Sequence, residues 1–368
     1  DADRRGREAL DRPKAQVIDL DDAAAMRAAD PSGMLGLVSG LADHCREGYQ
    51  LGRAAEGLPS ADDLTAVAFC GMGGSAVAGD VVRVLYAERL RLPVTVIRTP
   101  ELPAWCGPHT LVVASSYSGN TAETLALFEE AVARGCRMIA VTSGGGLAQL
   151  AAELEVGTVR VPGTFMPRAA VGYLALGVLG SLESIGLVPS VAADLDETLG
   201  ELRRILDVNG PAVPASNNPA KTLALRIGGR FPVVWGAEGL AATAAYRWKT
   251  QFNENAKVPA FWGALPELDH NEVVGWAEGA GRSFFLVALR HDGEHAEVAA
   301  RFPLSTEIAR SSGMEAEEIR ASGASGLSRL LELVLHGDLV STYHAIARGV
   351  DPTPIDAIAR LKRALAEA

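Results

Sequence analysis

Cysteine is scarce in this chain and never occurs in a metal-binding spacing. Cys45, Cys70, Cys106 and Cys136 are far apart and form no CxxC pair. That excludes a zinc-ribbon or dithiol motif and favours a reducing compartment. His291 and His295 stand four apart, but Gly293 between them argues for a turn and no third ligand is evident, so no metal is assigned. Basic charge is in deficit: 34 Lys and Arg against 45 Asp and Glu give a net charge of −11. Nucleic acid and acidic membranes, which are bound through clustered cations, are therefore not expected partners. Aromatics make up 5 % of the residues, and Trp235, Trp248, Trp262 and Trp276 gather in the second half, where they are expected to pack rather than to stack bases. No apolar run is long enough to span a membrane, and residues 1–15 are charged without an apolar core, so a soluble, cytoplasmic protein is expected.

What the chain does have is ordinary globular composition, 48 % hydrophobic over 368 residues, a length that favours two domains. Its most informative stretch is Leu111-Val-Val-Ala-Ser-Ser-Tyr-Ser-Gly-Asn-Thr-Ala-Glu-Thr124. A β-branched run ends at Ala114, a hydroxyl-rich loop follows, and a helix-forming segment begins. A strand, loop and helix in this order point backbone N–H groups and the positive end of a helix at one spot, beside the hydroxyls of Ser115, Ser116, Ser118 and Thr121. Such a loop suits an anion, phosphate foremost, although Ser, Asn and Thr also favour caps and turns for local reasons. Residues 65–80 form a second strand, glycine turn and small-residue helix, with Gly73, Gly74 and Ser75 in the turn. The glycine spacing there is not that of a dinucleotide fingerprint.

Further strands are expected at 92–98, 137–142 and 157–161, with helices at 122–134 and 147–155 between them. Alternation of this kind argues for an α/β fold with a parallel sheet flanked by helices. Residues 23–53 carry helical spacing and read as one or two packing helices. The second half echoes the first: 231–245 repeats the pattern of 67–79, 283–292 that of 110–118, and 319–331 that of 140–150. Leu240 replaces Ser75, and Arg290-His291 replace the serines, so only the first copy is expected to hold phosphate. The resulting division is an N-terminal helical segment (1–60), a first domain (61–206), a Pro/Asn/Gly-rich linker or exposed loop (207–222) and a second domain with a C-terminal helical segment (223–368).

The pairing of Gly73-Gly74-Ser75 with Ser116-Tyr-Ser118-Gly-Asn-Thr121 resembles the phosphosugar signature of the sugar isomerase (SIS) domain. Phe165-Met-Pro-Arg168, Gln251-Phe-Asn-Glu254-Asn-Ala-Lys257 and Glu267-Leu-Asp-His270-Asn-Glu272 narrow the resemblance to bifunctional phosphoglucose/phosphomannose isomerases, and Gly349-Val-Asp-Pro-Thr353 fits as well. The resemblance implies two tandem SIS domains, each with a five-stranded parallel sheet, usually in a homodimer with shared active sites. It implies a hexose 6-phosphate substrate, no cofactor and an aldose-ketose isomerisation through an enediol. Glu254 matches the family's base, Arg168 the arginine facing the enediolate, and His270 the ring-opening histidine reached from the neighbouring subunit. Ser75, Ser116, Ser118 and Thr121 match the phosphate ligands, beside Gly73 and Gly74. Thr353 matches the threonine that makes room at C2, and Lys362 a lysine near the ring oxygen, with Arg360 competing for that place.

The chemistry asks for the same residue types: a base, a stabiliser for charge developing on oxygen, and an acid-base group for ring opening. Two alternatives remain open at this level. A sugar-phosphate-binding regulator would keep the serines and lose the base, and an aminosugar-phosphate SIS enzyme would run a different reaction on the same ligand class.

Overall fold

A computed structural model describes residues 17–279 and 281–367. Helices α1 (Ala23–Ala29), α2 (Met34–Ser39) and α3 (Leu41–Arg53) lead into the first sheet, built from β1 (Ala66–Cys70), β2 (Val94–Ile97), β3 (Thr110–Ser115), β4 (Arg137–Thr142) and β5 (Thr158–Arg160). All neighbours in it are parallel, in the order β2-β1-β3-β4-β5. The connecting helices are α4 (Val77–Leu85), α5 (Ala122–Ala133) and α6 (Gly145–Glu153), followed by α7 (Val171–Ser184) and α8 (Ala192–Asn209). β1 and β3 are buried along their whole length, as a strand covered by helices on both faces must be.

Helix α3 crosses α7 at very short range. A Cβ added at Gly52 would lie 2.0 Å from the Gly177 carbonyl oxygen, so only glycine permits the approach. The contact matters for function because α7 grows directly out of the short 3-10 turn Pro167–Ala170, which carries Arg168. The N-terminal helices thus help to fix the depth at which that arginine sits.

The second sheet contains β6 (Phe231–Ala237), β7 (Phe261–Leu265), β8 (Phe284–His291) and β9 (Glu315–Ala321), all parallel, in the order β7-β6-β8-β9. Its helices are α9 (Pro219–Ile227), α10 (Leu240–Gln251), α11 (Glu272–Ala277), α12 (Ala296–Ala299), α13 (Arg301–Ser311), α14 (Gly326–Ala347) and α15 (Asp356–Ala366). Both halves are therefore parallel sheets flanked by helices. The expectation of five strands in each sheet is corrected for the second, which has four among the described residues: after β9 the chain enters the long helix α14 and does not return to the sheet edge.

Within the segment 207–222, expected as a linker or exposed loop, residues 211–217 are mostly exposed between the end of α8 and the start of α9, but the segment is anchored at its end. Asn218 and Lys221 are each 1 % exposed. The Lys221 ammonium donates to the carbonyls of Leu20, Pro211 and Val213 at 2.7, 3.0 and 2.8 Å. A buried cation is tolerated because it satisfies acceptors that the turn would otherwise leave orphaned. Helix α15 is the opposite case: none of its described side chains is buried, and Ile358, Leu361 and Leu365 expose 39, 59 and 68 % of their surface.

Candidate active site

The site begins where the first sheet reverses its winding, between β1 and β3, the place where open parallel sheets form a crevice beyond their strand ends. After β1 the chain makes a 3-10 turn at Gly73–Ser75, with Gly73 at φ +52°. After β3 comes the loop 116–121, ending at Thr121, the N-cap of α5. Tyr117 N–H donates to Ser75 Oγ at 3.0 Å and ties the two loops together. Ser116 Oγ donates to Thr121 Oγ1 at 3.0 Å, and Asn120 N–H donates to Ser118 Oγ at 3.3 Å. Ser75 and Ser116 are buried, while Ser118 is exposed at the mouth. The Thr121 side chain makes no capping bond to α5, so its hydroxyl is not spent on the helix. Gly119, at φ +70°, packs so closely on Gly144 that a Cβ would lie 1.8 Å from that carbonyl oxygen. The loop's shape therefore depends on its glycine.

This turn meets Arg168. A Cβ on Gly74 would stand 3.2 Å from Pro167 O and 3.4 Å from Arg168 Cα, so the glycine turn and the arginine turn are in contact. Arg168 is 2 % exposed, and every arm of its guanidinium is engaged. Nε donates to Asn255 Oδ1 at 2.7 Å, Nη2 to the carbonyls of Pro352 and Thr353 at 2.7 and 2.9 Å, and Nη1 reaches Glu254 Oε2 at 3.5 Å. Burial pulls its pKa below the ordinary value while the Glu254 charge opposes the shift. A guanidinium stays charged under such a shift, which is why arginine suits this position.

Glu254 lies on a single π-helical turn, Phe252–Ala256, that continues α10. Insertions of this kind re-aim a side chain and recur at functional sites. Its carboxyl is 28 % exposed, open enough to meet a ligand. The turn ends at Lys257, which adopts the left-handed conformation at φ +54°, unusual for a residue with a Cβ. The ammonium supplies the compensation, donating to the carbonyls of Glu254, Asn255 and Pro352 at 2.7, 3.2 and 2.8 Å. The residue as a whole is exposed, but its amine is folded back onto those oxygens, and burial together with the Arg168 charge brings it down to about 8. Pro352 O thus receives both Arg168 and Lys257, and the segment carrying Thr353 is pinned to the turn carrying Glu254.

Beneath this layer a fully buried ion pair holds the arginine from behind. Arg247 and Asp338 are 2 and 4 % exposed at their side chains and meet at 2.6 Å, and Arg247 Nη2 also donates to the Arg168 carbonyl at 2.8 Å. Neither residue was expected from the sequence, nor was Lys257: the pair is 91 positions apart, and a lysine bonded to carbonyls leaves no local pattern.

Of the residues expected at the site, the fold brings Gly73, Gly74, Ser75, Ser116, Ser118, Thr121, Arg168, Glu254 and Thr353 to one place. Thr353 Oγ1 is buried without a partner beside Arg168, a polar atom left over in an otherwise satisfied layer. His270 is exposed at the end of a 3-10 turn after β7, and its ring makes no hydrogen bond among the described residues. Lys362 and Arg360 lie on the exposed helix α15, and neither forms a hydrogen bond or ion pair with the Arg168 cluster.

Two family models match the chain: the SIS domain over residues 65–156, and the bacterial phospho-glucose isomerase C-terminal SIS domain over residues 216–365. The bifunctional phosphoglucose/phosphomannose isomerase of Caldicellulosiruptor bescii is 35 % identical over 332 residues, 90 % of this chain and 98 % of its own. The chain belongs to the bifunctional phosphoglucose/phosphomannose isomerase family. The family's enzyme from Aquifex aeolicus is 37 % identical over 310 residues, 83 % of this chain and 92 % of its own. Among solved structures, a glucose-6-phosphate isomerase like protein from Thermus thermophilus superposes with a TM-score of 0.63 at 22 % identity, covering 94 % of this chain and 99 % of its own, a likeness of fold. The two domains of this isomerase family member are thus both SIS domains.

Proposed function

We propose that the chain interconverts glucose 6-phosphate and mannose 6-phosphate with fructose 6-phosphate, without a cofactor. The observation that carries the reading is the meeting of Arg168 and Glu254 at 3.5 Å beside the serine loop, a carboxylate and a buried guanidinium brought together from separate domains. In the aldose-to-ketose direction Glu254 takes the proton from C2, and the C–H electrons form the C1=C2 bond as O1 gains a proton. The enediol then loses the O2 proton, C2=O forms, and Glu254 returns its proton to C1. Arg168, held rigid by Asn255, Pro352, Thr353 and the ion pair behind it, stabilises the negative oxygen without reorganising. Ser75, Ser116, Ser118 and Thr121, with the backbone at Gly73 and Gly74, hold the phosphate through charge-assisted hydrogen bonds of roughly 1.5–3 kcal/mol each. Thr353, whose carbonyl accepts from Arg168 and whose hydroxyl has no partner, would make room at C2 for both epimers.

His270 would open the sugar ring from a second copy of the chain. What supports this is its exposure, together with the uncovered apolar stripe of α15, which a homodimer would bury. Lys362 or Arg360 would then reach the ring oxygen from that helix. A soluble, cytoplasmic enzyme agrees with this substrate class. The test is formation of glucose 6-phosphate and mannose 6-phosphate from fructose 6-phosphate by the purified chain. Failure to form either aldose would overturn the proposal.

A further inference from the structure

The second sheet has its own reversal of winding, between β6 and β8, and a cleft of about 840 Å³ opens there between the domains. It occupies the place in the second domain that the serine loop occupies in the first, and its size is that of a small-molecule site. Backbone amides at the ends of β8 and β9 are taken by the chain's own carboxylates. Glu197 accepts from the Ala324 and Ser325 N–H groups at 2.5 and 3.1 Å, Glu294 from His291 N–H at 2.9 Å, and Glu332 from those of Ser322 and Gly323 at 2.9 Å each. Those contacts agree with a second copy that has lost the serine-type cradle.

Side chains remain available where amides do not. Arg83 and Arg89, from the first domain, and Arg329, from α14, line the cleft, and among the described residues no carboxylate pairs with any of the three guanidinium groups. His291 is 6 % exposed and also lines it. Its Nδ1 accepts from Gly293 N–H at 3.1 Å, which in the neutral ring makes Nε2 the donor, and Nε2 has no acceptor among the described residues. Glu88, Asp194 and Glu238 stand on the same walls with no cation paired to them among the described residues.

We propose that this cleft is a second ligand site, for a polyol bearing an oxyanion, carboxylate or phosphate. Arg83, Arg89, Arg329 and the His291 Nε2–H read the anion, in the fork geometry that guanidinium groups offer to both, while the free carboxylates accept hydrogen bonds from ligand hydroxyls. Two helices lead from the cleft to the active site. Helix α4 runs from the Gly73–Ser75 turn to Arg83, and α14 runs from the cleft to Asp338, the partner of Arg247.

The test is calorimetry on the full chain carrying Ser116→Ala and Ser118→Ala, which disables the first domain's loop, with gluconate and glucitol 6-phosphate as probes. Neither probe can be isomerised, so the result does not depend on the activity. The expected result is that one of them binds at one equivalent per chain, gluconate indicating a carboxylate site and glucitol 6-phosphate a phosphate site. Adding Arg83→Ala or Arg329→Ala should weaken that binding about tenfold or more. Arg89→Ala, at an exposed position, is expected to weaken it without a folding cost and keeps the test readable if the others unfold the chain. Absence of binding for both probes, or binding that none of the arginine changes affects, would overturn the proposal.

Discussion

One carboxylate, that of Glu254, carries the proposed proton transfer. Glu254→Gln keeps the shape and the hydrogen bonding but removes the base, so turnover should drop by about 10²–10⁴-fold or more while fructose 6-phosphate binding, read by calorimetry, stays nearly unchanged. Lys257 makes a second, pH-dependent claim. Its ammonium, pinned to three carbonyls, persists below about pH 8 and is lost as the pH rises through that value, loosening Pro352 and the Glu254 turn. The charged groups around it are Arg168, which lowers its pKa, and Asp351, Glu254 and Asp356, which oppose. Turnover of the natural chain should therefore fall above about pH 8, and Lys257→Met should show a lower plateau with that limb flattened. Stability should move the other way: with the folded pKa below the unfolded one, the unfolded chain binds the extra proton between about 8 and 10.5, so this group's contribution rises with pH across that window. A pH–rate profile beside urea unfolding at the same pH values separates the two. That the serines, Arg168 and Glu254 would gather at one place was legible in the sequence, because each sits in a short motif whose neighbours specify it. Lys257 was not, because its three acceptors meet only after folding.

The elements that matter most are those that set the position of Arg168. The buried Arg247–Asp338 pair is expected to be costly to break from one side: Asp338→Ala leaves an unpaired guanidinium in the core and should cost about 3–5 kcal/mol of unfolding free energy. Gly52→Ala tests the helix crossing. The added methyl must displace the Gly177 backbone, and a loss of about 1–3 kcal/mol in denaturant unfolding is expected, together with reduced turnover because α7 continues the Arg168 turn. Most strands of the first domain could be read from their apolar β-branched runs, and the central pair, β1 and β3, is buried from end to end. β7 could not: Phe-Trp-Gly-Ala-Leu is short, interrupted by glycine and placed at a sheet edge with both aromatics partly exposed. In the segment 207–222 the exposed loop was legible and its anchor was not. Proline and asparagine suggest a loop, and nothing local shows that Lys221 will turn inward to satisfy its carbonyls.

At the scale of the whole molecule, one chain brings together the proposed phosphate ligands, the proposed base Glu254 and Arg168 but leaves His270 and α15 turned outward. If a second copy completes the site, Leu361→Glu on the exposed stripe should shift the chain to monomer in analytical ultracentrifugation and lower turnover, with the fold retained, since that side chain is 59 % exposed in the isolated subunit. The repeat of two domains was visible in the sequence through its recurring strand, turn and helix pattern. The four strands of the second sheet among the described residues were not, because they depend on where the chain goes after β9, and neither were the contacts between the halves, such as Arg168 with Asn255, which join residues far apart in the sequence.

The central claim is that this site moves a proton between C1 and C2. Fructose 6-phosphate offered to the purified chain in heavy water, followed by NMR, tests it directly. Deuterium is expected at C2 of both glucose 6-phosphate and mannose 6-phosphate. Binding of the ketose, seen as shifted or broadened signals, with no exchange and no aldose formed would contradict it.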